Sequence, residues 1–262
     1  MAKKSVSTLE MTREQWLEKR STTVGSSDIG AILGLNYYTT PMKLFREKTG
    51  IDAPFDGNKH TRWGLLFEPA ISQAFEEDEL SKMPGMRVQR DNKIRVHPKY
   101  PWATCNLDRV IIGDGDPIVL ELKTTTSYAV KNWDAEIPTS YYAQVQWQLF
   151  VTGYRRGIIW VAVLDTKEFV RLDIERSDEF IDAAVKAASE FIDAVMANDA
   201  SKISLTAKDT EKMEERAGST VQADEDILNK ITQLTELKQT LSETKKAEKE
   251  LSEEVKLYMK DN

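Results

Sequence analysis

The sequence contains one cysteine, Cys105, and two histidines, His60 and His97, in 262 residues. One thiol cannot close an intrachain disulfide, and so sparse a set excludes a zinc cluster or a histidine-based metal centre, which fits a reducing cytosol. No apolar run approaches the ~20 residues needed to cross a bilayer, so no membrane partner is expected. The opening MAKKSVSTLEMTREQW lacks the apolar core of a secretory signal. There is no internal repeat, low-complexity tract or glycine-rich nucleotide loop.

What is present is charge. The formal net charge is -7, which argues against a generally basic surface of the kind that coats nucleic acid. Yet Lys82, Arg87, Arg90, Lys93, Arg95 and Lys99 fall in one short stretch opposed only by Asp91. That strip reads equally as a guarded edge strand and as a basic groove on an acidic body. A groove of that kind would hold DNA weakly and in a salt-sensitive way.

The stretch with the most chemical content is Thr104 to Thr125, TCNLDRVIIGDGDPIVLELKTT. Cys105 to Ile112 reads as one strand, Gly113 to Pro117 as a turn, and Ile118 to Leu122 as a second strand. Alternation along that second strand places Glu121 and Lys123 on one face and Leu120 and Leu122 on the other. Asp108 on the neighbouring strand can lie beside them. Two carboxylates and an ammonium on rigid strands suit hydrolysis of a phosphodiester assisted by Mg2+, which takes oxygen ligands and keeps several waters. Lys123 would orient the water or stabilise charge developing on the phosphate. A solvated hairpin face carrying the same residues is the ordinary alternative.

Other segments can be placed around this hairpin. Thr12 caps a short helix. Arg20 to Gly34 is a small polar run entering an apolar one, with Ser26, Ser27 or Asp28 near a helix N-cap, a natural seat for phosphate. Pro41 to Lys48 is a short helix. Thr61 to Leu80 has helical apolar spacing in Leu65, Leu66, Ala70, Ile71, Ala74 and Phe75, with Pro69 as a break, kink or restart. Glu68 stands at that point as a candidate third acidic group. His97 reads as structural. Pro138 opens a helix ended by Gly153, from which Gln144 can reach the site, with Gln148 one turn on. Gly157 to Leu164 and Glu168 to Ile174 form a strand pair, and Asp178 to Ala197 is an amphipathic helix. A mixed sheet flanked by helices results, an α/β (α+β) fold. We expect a core domain over residues 1–200, a polar linker over 201–226, and a helix over 227–262. In that helix Ile227, Ile231, Leu234, Leu237, Leu241, Leu251 and Val255 approximate a coiled-coil seam.

Four motifs in order carry a resemblance. They are Arg20 with Ser27-Asp28, Gly64 with Glu68, Asp108 followed by Glu121-Leu122-Lys123, and Ala143-Gln144-Val145-Gln146. Over residues 13–197 the chain resembles the YqaJ-type viral recombinases, the phage alkaline exonucleases typified by lambda exonuclease, within the PD-(D/E)xK nuclease superfamily. The resemblance implies a PD-(D/E)xK restriction-endonuclease-like core. It also implies that Asp108, Glu121, the Leu122 carbonyl and Glu68 bind Mg2+, with Mn2+ as a possible substitute. Lys123 would be the catalytic lysine, with Gln144 placing the water. Arg20 and Ser27, joined by Asn106, would grip a 5′-phosphate; Asn106 and Arg109 stand where relatives carry serine and glycine. The expected activity is 5′-to-3′ digestion of double-stranded DNA ends to mononucleotides in the cytoplasm of a bacterial host. It would leave a 3′ overhang for a phage single-strand annealing protein, and the assembly would be a homotrimer. An endonuclease with the same metal site, and a non-catalytic interaction module, remain open from the residues themselves.

Overall fold

Three consecutive strands bury most of the side chains they carry, and such strands need cover on both faces. They are β5 (Arg109–Gly113), β6 (Ile118–Thr125) and β7 (Arg156–Val163). In the computed structural model, which describes residues 5–9, 11–131, 133, 137–206, 208–209 and 224–260, they form the middle of a five-stranded sheet. Its edges are β2 (Met86–Arg90), beside β5, and β8 (Glu168–Glu175), beside β7. Only β6 and β7 pair in parallel. Their crossover carries α5 (Ser127–Lys131) and α6 (Thr139–Thr152), because parallel neighbours cannot be joined by a tight turn.

Each face has its own core. Val110, Val119, Ile159 and Val161 pack with α6, α2 (Ser26–Ile32), α3 (Pro41–Lys48) and α7 (Asp178–Ala197). On the reverse face Ile111, Ile118, Leu120, Leu122 and Trp160 meet Ile71 and Phe75 of α4 (Lys59–Asp78). Alternation therefore sends Glu121 and Lys123 of β6 toward α6, the face opposite Leu120 and Leu122. The layers lie close: a Cβ on Gly157 would come within 2.5 Å of Val145 Cγ1. Gly153 ends α6 in the left-handed conformation, φ 76°, which glycine adopts without steric cost. α1 (Arg13–Ser21) begins with a reciprocal cap between Thr12 and Gln15.

Three expectations are corrected. Cys105 to Ile112 is not one strand. Thr104–Cys105 is β4, paired in a separate three-stranded sheet with β3 (Lys93–Val96), which also pairs β1 (Val6–Ser7). The chain leaves that sheet at Asn106 and enters the main one at Arg109, so Asp108 lies in the link, just before β5. Second, α4 runs unbroken through Pro69. The missing N–H leaves only the Leu65 carbonyl short of a partner, and Leu65 is exposed, so water can serve it. Third, Leu65 and Leu66 are exposed, and α4 meets the core through partly buried Phe67 and buried Ile71 and Phe75.

The basic strip is divided between the two sheets, and part of it is already paired, Lys82 to Glu79 and Arg95 to Asp91. His97 is structural, as expected. Its Nδ1 accepts the Lys99 and Tyr100 amides and its ring stacks 4.2 Å from that of Phe150. Cys105 is 1% exposed, and burial pushes its thiol far above the usual range.

The chain divides into two units, Met1–Met213 and Glu214–Asn262. Among the described residues the second contains one helix, α8 (Glu225–Lys260), on which Ile227, Ile231, Leu234, Leu237, Leu241 and Leu251 are exposed. Residues 210–223 of the expected linker, and the side chain of Val255, lie outside the described residues. No described helix is long and apolar enough to cross a membrane.

Candidate active site

Glu121 is the best-connected carboxylate of the sheet. Its Oε1 accepts from Lys123 Nζ at 2.6 Å and Gln144 Nε2 at 2.6 Å, and its Oε2 accepts from Gln148 Nε2 at 2.7 Å. Lys123 also donates to Gln144 Oε1 at 3.1 Å and lies 5.2 Å from the centre of the Tyr141 ring. Strand alternation supplies Glu121 and Lys123, and one helical turn separates the two glutamines that meet them.

Asp108 joins this group because a strand runs out. The β5–β6 ladder begins at Arg109 opposite Leu120, so beyond it the edge of β6 has no strand partner on that side. There Asp108 Oδ2 accepts the Leu122 amide at 2.9 Å. A residue's N–H and C=O leave a strand toward the same neighbour. The Leu122 carbonyl therefore faces the gap that Asp108 fills.

The electrostatics are strained in one particular way. Burial first, and the adjacent Glu121 carboxylate second, push the Asp108 carboxyl up to about 7. Burial alone would lower the Lys123 ammonium, but Glu121 and Asp108 outweigh it and hold the ammonium above its usual value. Lys123 therefore remains a cation and is no free base. Crowded acidic groups that resist joint ionisation are what a divalent ion relieves.

The donors fit such an ion. Two carboxylates and a backbone carbonyl are hard oxygen ligands of the kind that a hard divalent cation takes, with water filling the rest of its shell. Among the described residues no three His, Cys, Asp or Glu side chains gather closely enough to hold a metal alone. Backbone and water are thus needed in the shell. Glu68 Oε1 accepts from Arg109 NH1 at 2.5 Å, and the Glu68 charge adds to the push on the Asp108 carboxyl. Arg109 is 6% exposed and also donates to the Asp108 carbonyl at 2.6 Å and to Ser72 Oγ at 3.0 Å.

The expected phosphate residues are only partly assembled. Arg20 NH2 donates to Asp28 Oδ1 at 2.7 Å, and its guanidinium lies 4.6 Å from the Trp16 ring centre. Its side chain keeps 38% exposure. Ser27 is exposed in the first turn of α2. The N-cap is Gly25, whose amide is accepted by Asp28 Oδ2 at 3.0 Å. Asp28 is buried, which alone would raise its carboxyl; Lys48 at 2.8 Å and Arg20 together bring it below the ordinary value. Asn106 stands apart. Its amide donates to the Lys93 carbonyl at 3.1 Å, and no described bond links it to Arg20 or Ser27.

Two residues with evident roles escaped the sequence reading. Gln148 reads as one polar residue on an apolar helix face, yet it is fully buried, donating to Glu121 Oε2 and the Asn106 carbonyl while its own Oε1 has no partner among the described residues. Its spacing from Gln144 was the available signal. Arg109 registered only as a departure from glycine. Gln148→Leu leaves Glu121 Oε2 and the Asn106 carbonyl without a donor, so we expect a loss of roughly 2–4 kcal/mol in urea unfolding. A loss below about 1 kcal/mol would show that water replaces the amide.

Comparison with known proteins places this site in context. The profile of the YqaJ-like viral recombinase domain matches residues 15–155. The uncharacterized protein YqaJ of Bacillus subtilis is 35% identical over 262 residues, covering 96% of this chain and 80% of that protein. Protein D345L of African swine fever virus is 25% identical over 151 residues, 50% of this chain and 43% of that protein. Among solved structures, the alkaline exonuclease LHK-Exo of Laribacter hongkongensis superposes with TM-score 0.57, and its complex with dAMP with 0.58. Each is 18% identical and covers 71% of this chain and 94% of the other.

Proposed function

Since the chain belongs to the YqaJ-like viral recombinase family, we propose that it is a Mg2+-dependent 5′-to-3′ exonuclease acting on double-stranded DNA ends. The observation that carries this reading is the meeting of Asp108, Glu121, Lys123 and the Leu122 carbonyl at the point where the β5–β6 ladder begins. It is supported by the fold shared with an alkaline exonuclease.

Asp108, Glu121 and the Leu122 carbonyl would hold the ion. Mg2+ bound there, or Mn2+ in its place, acidifies a coordinated water and offsets charge on the phosphate oxygens. Gln144 sits between Glu121 and Lys123, where its amide orients the attacking water. The Lys123 ammonium stabilises the charge that builds as the water attacks phosphorus. Gln148 fixes the Glu121 carboxylate from behind. Arg20, held by Asp28 and Trp16 with one side open, would grip the 5′-phosphate together with the Ser27 hydroxyl. Asn106, whose amide donates to the Lys93 carbonyl, has no described bond to Arg20 or Ser27, so the grip is assigned to those two. The products would be mononucleotides and a 3′ overhang, the latter passed to a phage single-strand annealing protein. Assembly as a ring trimer around the duplex belongs to the same reading.

The test is digestion of linear duplex with 5′-phosphate or 5′-hydroxyl ends, with Mg2+ or chelator, beside a covalently closed plasmid. We expect Mg2+-dependent release of nucleotides from linear DNA, preference for phosphorylated ends, and an intact plasmid. Arg20→Ala should reduce that preference about tenfold, the worth of one charge-assisted hydrogen bond. Equal digestion of both ends by the native protein removes this role from Arg20, and plasmid nicking turns the reading to an endonuclease.

A further inference from the structure

Arg109 is a buried guanidinium set against the very groups that a second divalent ion would need. It lies on the α4 side of the sheet, directed to Ser72 and Glu68 of α4, whereas Glu121 and Lys123 occupy the α6 side. Asp108 stands between the two sides, its carboxylate on the Leu122 amide and its carbonyl on Arg109. Two carboxylates could share a cation across this gap, those of Asp108 and Glu68. One oxygen of the second is already held by a cation, Glu68 Oε1 lying 2.5 Å from Arg109 NH1.

Charge leads to the same place. Three carboxylates (Asp108, Glu121 and Glu68) face two fixed cations (Lys123 and Arg109), which leaves the site one formal negative charge. One divalent ion together with one phosphodiester brings the site to neutrality. A second divalent ion would add two uncompensated positive charges beside the Arg109 guanidinium. Burying such an excess is costly.

We propose that Arg109 takes the place of a second metal ion, so that each chain binds a single divalent cation, and that Glu68 is the counter-ion of Arg109 and no metal ligand. The inference rests on the metal site of the function proposed above. Arg109 is a positioning residue here: it neutralises and fixes Glu68 and the carbonyl of Asp108 without touching the scissile phosphate.

The experiment is titration of the full-length chain with Mn2+, followed by electron paramagnetic resonance. The signal of free ion gives the number bound, and the spectrum of bound ion reveals whether two ions lie close enough to couple. The native chain should take up one ion with an uncoupled signal. Arg109→Leu, which keeps bulk and removes charge, should take up a second ion and show coupling, while Arg109→Lys should remain at one. Two ions on the native chain would overturn the inference and leave the nuclease reading standing. No ion on the native chain would overturn both. A folded Arg109→Leu variant that still binds one ion would overturn the assignment to Arg109. If that variant fails to fold, Arg109→Gln, which keeps a donor for Glu68 and removes the charge, takes its place: two coupled ions support the assignment and one ion overturns it.

Discussion

Lys123→Ala should reduce DNA cleavage by roughly 100- to 1,000-fold, the cost of removing one preorganised charge donor from a reacting centre, while duplex binding changes by less than about threefold. The separation follows from where Lys123 sits. Its ammonium contacts Glu121 and Gln144 inside the site, and 20% of its side chain is exposed, so it contributes little to a phosphate track on the surface. The two acidic neighbours hold it above its usual pKa, so its role is that of a cation and not of a proton acceptor. Single-turnover digestion and fluorescence anisotropy on one end-labelled duplex would measure both effects. Cleavage within tenfold of native would remove Lys123 from the chemistry. Equal losses in cleavage and binding would make it a DNA-binding residue.

Asp108→Asn should abolish most turnover and at the same time make the metal-free protein more stable at pH 8. Loss of a ligand worth several kcal/mol at the transition state lowers the rate at least about 100-fold. The stability gain follows from the raised carboxyl. Asp108 titrates near 7 when folded against 3.8 when unfolded, for reasons of burial first and of Glu121 second. Below about pH 4 both states are protonated and the group has no effect on stability. As pH rises from there to 7 the unfolded chain gives up the proton that the native chain retains, so the native protein loses stability across that window. Above 7 the whole penalty stands. Asparagine has no proton to lose and still accepts the Leu122 amide, so in chelator at pH 8 the variant should exceed native by about 2–4 kcal/mol. The gap should close toward pH 4. With Mg2+ the order should reverse, since only the native site gains from binding the ion. Thermal melts in chelator over pH 4–8 and in Mg2+ at pH 8 decide the matter; a variant less stable in chelator at pH 8 would falsify this account of Asp108.

Local rules made part of this legible in advance. Alternation placed Glu121 and Lys123 together, and the starts and stops of α1, α3, α6 and α7 follow from Thr12, Pro41, Pro138, Gly153 and the apolar stripe of α7. What was missed depends on contacts distant in sequence. The break between β4 and β5 is invisible in a run of apolar residues, because it is set by which sheet each half joins. Leu65 and Leu66 have helical spacing, but the core that α4 joins is built on Ile71 and Phe75, with Phe67 packed against it, and leaves both exposed. Arg109 reaches Glu68 across 41 positions and Gln148 reaches Glu121 across 27, so neither pairing leaves a periodic trace. The basic strip reads as one strand or a pair of strands, and the structure makes it a pair dealt to two sheets.

The sealed thiol of Cys105 has a practical consequence. The chain contains no other sulfhydryl, and this one is hidden from solvent and kept protonated, so maleimide dyes should leave the folded protein unlabelled. A cysteine placed at an exposed position such as Leu65 would then be a unique attachment point for a fluorophore. Movement of a single molecule along a DNA track could be followed in that way with the interior thiol left in place.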